Sequence, residues 1–149
     1  MTHILFVCHG NICRSPMAEF YFKHLVHKAG RNGDFVVASA ATSREELGND
    51  VHWGTKEMLT EKGIPYTRRK ARQITAADYE RNDYIITFDA ENKREITRLI
   101  GPDRDHKVRS LLSFAGLDRD VADPWYTGDF RRTYADVEQG CQALWQHVQ

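Results

Sequence analysis

The sequence has no excess of charge of either sign and no long hydrophobic run. Its 149 residues include 21 basic and 21 acidic side chains, so the formal net charge is zero. Balanced charge gives no reason to expect a nucleic-acid partner or an anionic membrane surface. The opening MTHILFVCHG lacks a basic n-region, and its apolar run is too short to span a membrane. We expect no nucleic acid, no membrane and a cytoplasmic location.

Cysteine is also scarce. Three cysteines are an odd number, which excludes a disulfide framework and favours a reducing compartment. A chain of this length can bury a core without disulfides or metal. No linker, repeat or low-complexity segment interrupts it. The sequence therefore predicts one domain over residues 1–149.

Signatures for nucleotides and metals are missing as well. Neither G-x-G-x-x-G nor G-x-x-x-x-G-K-[ST] occurs, so dinucleotide and nucleoside-triphosphate binding lose their usual support. A metal site could be drawn from Cys8, His9 and Cys13, but the sequence contains no second group of Cys or His ligands that would complete it. No metal and no other cofactor is expected.

Strand and helix patterns alternate along the chain. Short apolar runs predict strands, and apolar residues at steps of three and four predict helices. The predicted strands are 3–8, 35–38 and 83–88, with a fourth inside 108–114, and the predicted helices are 16–29, 51–62, 91–100 and 130–148. Ser15 is placed to cap the first helix and Asp89 the third. This order predicts an α/β fold, a doubly wound and mostly parallel sheet with helices on both faces.

Ligands of such sheets bind beyond the carboxyl ends of the strands, which points to the loop from Cys8 to Ser15. A loop that curls at a helix N-terminus turns backbone N–H groups inward and forms an anion cradle. Gly10 and Asn11 suit the curl, because both tolerate positive φ. Arg14 can close over the anion with its planar fork, which matches two phosphate oxygens.

Cys8 lies in the field of this cradle. The field and Arg14 favour the thiolate over the thiol, and Ser15 can add a hydrogen bond to the sulfur. Cys8 is therefore a candidate nucleophile. The alternative is a buried apolar cysteine beside an unrelated arginine. An arginine that is separated from a cysteine by five residues and followed by Ser or Thr should occur by chance for roughly one cysteine in a hundred. This low frequency favours the interpretation of Cys8 as a nucleophile.

These segments resemble the low-molecular-weight protein tyrosine phosphatases over nearly the whole chain. VCHGNICRSPMAE is similar to their phosphate-binding loop, SAATSREELGN, KARQIT and FDAEN to their middle blocks, and DPWY to their acid loop. The resemblance implies four parallel strands around this loop, a cytoplasmic enzyme without metal, and a phosphocysteine intermediate. It also implies phosphotyrosine-containing proteins as substrates.

The family's residue roles carry over by position. The nucleophile falls on Cys8, the phosphate-binding arginine on Arg14, and the general acid on Asp123, whose following proline favours an extended acid loop. The resemblance implies that Asn11 shapes the loop, Ser15 stabilises the thiolate and Ser39 supports Asn11. The whole phosphate-binding set is His9, Gly10, Asn11, Ile12, Cys13, Arg14 and Ser15.

Two aromatic residues and a second cysteine are implied more loosely. Trp53 and Tyr126 match the positions that wall the family's active-site slot, and ordinary packing is the alternative explanation for each residue. Cys13 matches the loop cysteine that can form a protective disulfide with the nucleophile. Cys141 receives no role.

The loop also departs from the family pattern. His9 occupies a variable position at the pocket rim, where an imidazole alters substrate preference or merely faces solvent. A sister branch that acts on phosphoarginine carries threonine at the position of Ile12, so Ile12 favours phosphotyrosine. Phe88 replaces the usual methionine, which is a core exchange.

Two other functions are also compatible with the sequence. A thiol-redox enzyme of the arsenate-reductase kind could use the same loop, but it needs a relay of further cysteines. A phosphotyrosine-binding module could use the cradle without turnover, although no catalytic residue is missing. A monomer is expected, and weak self-association stays open because one sequence does not separate surface patches from core.

Overall fold

A computed structural model describes all residues from 1 to 149. Four parallel strands form one sheet in the order β2-β1-β3-β4. The strands are β1 (Thr2–Cys8), β2 (Phe35–Ala41), β3 (Tyr84–Thr87) and β4 (Val108–Ser110). The helices are α1 (Arg14–Lys28), α2 (Trp53–Glu61), α3 (Ala76–Arg81), α4 (Ala90–Ile100), α5 (Pro124–Thr127) and α6 (Phe130–Val148), with 3-10 turns at Asn32–Asp34 and Leu111–Ala115. The predicted α/β class and parallel sheet are confirmed.

β1 is a central strand, and its side chains enter two separate cores. Ile4 and Phe6 belong to the larger core, which α1 and α6 cover. Leu5 and Val7 point to the opposite face and pack with residues of α3 and α4. Because alternate side chains of a strand point to opposite faces, a strand buried on both sides reads as one apolar run. Helices on both faces of the sheet are confirmed.

The capping predictions give a mixed result. Asp89 caps α4 as predicted, accepting from the Asn92 backbone N–H at 2.8 Å in a capping box. Ser15 does not cap α1, because the helix begins at Arg14, two residues before the predicted start, and Cys13 occupies the cap position without a side-chain bond. The Ser15 hydroxyl is engaged in the loop instead.

Several boundaries also differ from the prediction. β2 continues to Ala41, because its whole length pairs with β1 from Thr2 to Cys8. The sequence interpretation missed α3, whose capping box is formed by Thr75 and Asp78. It also missed α5, a single turn that follows Asp123. No helix combines the length and the hydrophobicity that crossing a membrane requires.

Candidate active site

The loop between β1 and α1 lies at the carboxyl end of the central strand, where it forms one wall of a small cavity. The cavity has a volume of about 90 Å³. Cys8, Arg14 and Asp123 all line it, although Asp123 is more than a hundred residues away in sequence. The other lining residues are His9, Gly10, Ile12, Cys13, Glu45, Glu46, Trp125 and Tyr126.

The Cys8 sulfur is surrounded by hydrogen-bond donors. Its Sγ lies 3.1 Å from the Ser15 Oγ, and the Ser15 backbone N–H donates to the sulfur at 3.4 Å. The Asn11 side-chain amide donates to the same Ser15 Oγ at 2.8 Å, which leaves the serine hydrogen free for the sulfur. Donors directed at a sulfur stabilise its anionic form. The site can therefore hold Cys8 as a thiolate.

Asn11 sets the curvature of the loop. It has a φ of 59° and is almost completely buried. Its amide also donates to Ser39 Oγ at 2.9 Å, and Ser39 in turn donates to Glu19 at 2.6 Å. The expected contact between Ser39 and Asn11 is present. Gly10, which was expected to share the positive φ, does not have one. The turn requires left-handed backbone only at Asn11.

Arg14 is buried and held by three oxygens. Its Nη1 donates to Asp89 Oδ2 at 2.7 Å and to the Val121 carbonyl at 2.9 Å, and its Nη2 donates to Asp123 Oδ2 at 3.3 Å. Burial lowers the pKa of the guanidinium, but the charges of Cys8, Asp123 and Asp89 outweigh burial and raise the pKa above its ordinary value. Arg14 is thus a fixed cation at the cavity wall.

Asp123 approaches the site from the far end of the chain. Its backbone is extended, as expected for a residue before proline, and its Oδ1 accepts from the Trp125 N–H at 3.0 Å. Its Oδ2 faces Arg14. About a quarter of the side chain is exposed, at 23%. Asp123 can therefore meet both the loop and a ligand that enters from solvent.

His9 lies at the rim between two carboxylates. Its Nε2 is 3.0 Å from Glu45 Oε2, and its Nδ1 is 3.3 Å from Glu95 Oε2. Burial lowers the pKa of His9, but the hydrogen bonds and charges of Glu45 and Glu95 outweigh burial and raise the pKa above its ordinary value. The sequence interpretation named neither glutamate, because their contacts with His9 are long-range.

The aromatic wall differs from the expectation. Tyr126 lines the cavity, but Trp53 does not and lies on a neighbouring groove with Phe130. Trp125 lines the cavity instead. The sequence interpretation passed over Trp125, although DPWY places it beside Asp123.

The remaining cysteines are buried thiols. Cys13 lines the cavity, and burial, reinforced by the charge of Cys8, raises the pKa of its thiol. Cys141 is fully buried in the larger core, where burial raises the pKa of its thiol. No group of three or more His, Cys, Asp or Glu side chains is arranged to hold a metal ion.

Residues 3–149 match the family model described as "Low molecular weight phosphotyrosine protein phosphatase". The chain belongs to this family. YfkJ of Bacillus subtilis, a low molecular weight protein-tyrosine-phosphatase, is 38% identical over 100% of this chain and 97% of its own length. The human low molecular weight phosphotyrosine protein phosphatase is 36% identical over 95% of this chain and 92% of its own.

Solved structures of low molecular weight phosphatases agree with the sequence comparison. The crystal structure of B. subtilis YfkJ superposes with a TM-score of 0.94 and covers 99% of this chain and 94% of that chain. The crystal structure of DARP, the Drosophila arginine phosphatase, has a TM-score of 0.88 and 30% identity, covering 100% of this chain and 98% of that one. The fold of the low molecular weight phosphatases therefore extends across the whole chain.

Proposed function

We propose that this protein hydrolyses phosphotyrosine in proteins, together with small aryl phosphates, through a phosphocysteine formed on Cys8. The observation that carries the proposal is the convergence of Cys8, Arg14 and Asp123 on one cavity. A nucleophile, a cation that can hold phosphate oxygens and a candidate proton donor are thus within reach of one bound phosphate ester.

In the first step, the Cys8 thiolate attacks the phosphorus of the bound ester. The sulfur–phosphorus bond forms while the bond between phosphorus and the phenolic oxygen breaks, and Asp123 gives its proton to the departing oxygen. The Arg14 guanidinium and the loop N–H groups hold the equatorial oxygens as their charge redistributes. Tyrosine leaves as a neutral phenol.

In the second step, water attacks the phosphocysteine. Asp123, now a carboxylate, takes a proton from the water, and the bond between sulfur and phosphorus breaks. Ser15 stabilises the departing Cys8 thiolate, since its hydroxyl and its backbone N–H both face Sγ. The products are inorganic phosphate and the original thiolate, so one water is consumed for each ester cleaved.

The remaining loop residues support these two steps. Asn11, braced by Ser39, keeps the loop curled, while His9, Gly10, Ile12 and Cys13 complete the phosphate-binding wall. We assign the pocket wall for the tyrosine ring to Tyr126 and Trp125. Cys13 is the proposed redox partner of Cys8. Trp53 lies outside the cavity and takes no part in these steps.

Phosphotyrosine is favoured over phosphoarginine by Ile12, which replaces the threonine expected of an arginine phosphatase. A thiol-redox function is disfavoured because Cys141 is fully buried and cannot join an exposed relay. A binding module without turnover is disfavoured because Asp123 stands beside Arg14 in the same cavity.

We further propose that residues 1–149 act as one monomeric phosphatase domain in the cytoplasm. The larger core supports the single domain, because it joins β1 near the start of the chain to α6 at its end. No metal or other cofactor enters the proposed steps.

The experiment measures phosphate release from p-nitrophenyl phosphate, a phosphotyrosine peptide and phosphoarginine. Wild type and Cys8→Ser are compared, each with and without EDTA. We expect turnover of the first two substrates that survives EDTA and disappears in Cys8→Ser. Faster release from phosphoarginine would overturn the substrate assignment, and turnover by Cys8→Ser would overturn the nucleophile.

A further inference from the structure

Four aromatic side chains form a continuous surface beside the cavity, which we call the aromatic ledge. Trp125, in the cavity wall, has its ring centroid 5.9 Å from that of His52. The His52 ring stacks on Phe130 at 5.1 Å and lies 5.4 Å from Trp53. Trp53 and Phe130 are 6.3 Å apart, which closes the group. The ledge therefore begins at the proposed active site and leads away from it.

The two tryptophans of the ledge are unusually exposed to solvent. Trp53 is 68% exposed and Trp125 is 58% exposed, whereas Trp145 packs against Phe22 and Phe35. Tryptophan is highly buried on average, and a contiguous exposed apolar patch marks a binding surface. Both exposed tryptophans lie on this one face of the molecule.

The backbone beneath the ledge is shaped to hold it. A Cβ at Gly54 would lie 2.5 Å from the Phe130 ring, so only glycine lets this ring approach α2. His52 caps α2 by accepting from the Gly54 N–H at 3.0 Å, which fixes its ring orientation. Burial lowers the pKa of His52, so the imidazole is neutral at pH 7. The ledge is uncharged, and the contacts of His52 and Phe130 with α2 position its base.

We propose that the aromatic ledge binds an apolar side chain of the protein substrate, about three residues from the phosphotyrosine. An extended chain advances about 3.3–3.6 Å per residue. The centroid steps from Trp125 to His52 and from His52 to Trp53 are 5.9 and 5.4 Å, so the Trp53 ring lies no farther from Trp125 than about three extended residues can span. The inference rests on the proposed function, because phosphotyrosine must occupy the cavity beside Trp125.

The surface beyond the ledge is suited to a polypeptide. Trp53 and Phe130 also line a groove of about 720 Å³. At its border, Arg131 donates to Glu61 at 2.5 and 2.6 Å, so these two charges satisfy each other. A substrate segment that leaves the ledge can therefore continue along the protein surface. A small aryl phosphate held in the cavity is too short to reach Trp53 or this groove.

The test compares phosphotyrosine peptides that carry either leucine or serine at one position, scanned from four residues before to four residues after the phosphotyrosine. We expect leucine to raise kcat/KM about tenfold at a position close to three residues away, through KM, because its burial against tryptophan stabilises the complex. In Trp53→Ala, kcat/KM for the leucine peptide should fall to within twofold of kcat/KM for the serine peptide. Trp53→Phe should restore part of the ratio between the two.

Leu99→Ala is the matched control, because Leu99 is also an exposed apolar residue and lies on α4. It should leave the ratio at its wild-type value. Equal rates for all peptides in an enzyme that hydrolyses p-nitrophenyl phosphate would overturn the ledge and leave the proposed function intact. Absence of any turnover, including that of p-nitrophenyl phosphate, would instead overturn the proposed function.

Sedimentation velocity distinguishes substrate binding by the ledge from self-association of this chain through the same surface. We expect wild type and Trp53→Ala to sediment as the same species over the concentrations of the assay. A dimer that Trp53→Ala converts to monomer would assign the ledge to self-association and overturn the proposal.

Discussion

Arg14 and Asp123 form an ion pair across the cavity, with Nη2 and Oδ2 3.3 Å apart. The other guanidinium nitrogen is held by Asp89 and the Val121 carbonyl. A bound phosphate therefore competes with Asp123 for Nη2 rather than for the whole guanidinium. Release from Nη2 would also free the Asp123 carboxyl group to face the leaving oxygen, as a proton donor requires.

Substitution of Asp123 tests both consequences of this ion pair. In Asp123→Ala we expect kcat on a phosphotyrosine peptide to fall about 10²–10⁴-fold, because proton transfer to the phenol is lost. Inorganic phosphate should inhibit the variant more strongly than wild type, because no carboxylate competes for Arg14. Steady-state rates and inhibition constants provide the two readouts. Weaker inhibition by phosphate would show that Asp123 is not a competitor of the ligand.

Two substitutions of Asn11 separate the stability effect of its backbone conformation from that of its buried hydrogen bonds. Asn11→Ala should lower the free energy of unfolding by about 2–4 kcal/mol, since it loses buried hydrogen bonds and places alanine at positive φ. Asn11→Gly loses the same bonds but tolerates the φ of 59°, so it should be about 1 kcal/mol less destabilising than Asn11→Ala. Urea unfolding measures both. Equal losses would show that the backbone conformation carries no cost.

His9 should contribute pH-dependent stability. Because its pKa is raised in the folded protein, its contribution is fully present below the unfolded value of about 6.5 and is lost as pH rises through the folded value. The loss of unfolding free energy in His9→Gln should therefore be larger at pH 6 than at pH 9. Glu45→Gln should reduce this difference. A His9→Gln effect that is the same at both pH values would contradict the role of the two glutamates.

Cys13 should determine whether oxidation of the enzyme is reversible. Peroxide converts Cys8 to a sulfenic acid, and the Cys13 thiolate attacks its sulfur to form a disulfide, expelling hydroxide, which takes a proton from solvent and leaves as water. Dithiothreitol should restore wild type but not Cys13→Ser, in which oxidation proceeds further. Because burial raises the pKa of Cys13, disulfide formation should accelerate as pH rises. Cys141→Ser is the control, and irreversible loss in wild type would contradict the pairing.

The phosphate loop was predictable because its parts are local. The strand end at Cys8, the left-handed Asn11 and the helix start at Arg14 all fall within seven residues, where sequence pattern determines local structure. The doubly wound sheet followed from the same short-range periodicity. The resemblance added Asp123, which no local pattern connects to the loop.

The partners of these residues were not predictable from local pattern. Asp89 carries a visible capping signal, but nothing in the sequence shows that its second oxygen receives Arg14. Glu95 meets His9 only after α4 packs on the sheet, and Glu45 meets it from the segment that follows β2. The choice of Trp125 over Trp53 for the cavity wall likewise depends on how the turn after Asp123 folds over the loop.

The most direct test of the account is to trap the phosphocysteine. Asp123→Ala is mixed with p-nitrophenyl phosphate, whose leaving group departs without a proton, so that phosphorylation proceeds while hydrolysis lacks its base. Acid quench and peptide mass spectrometry then locate the phosphoryl group. We predict that it lies on Cys8 and is absent from a Cys8→Ser, Asp123→Ala double variant. Release of p-nitrophenol with no phosphoryl group on Cys8, or with the group on another residue, would contradict the account.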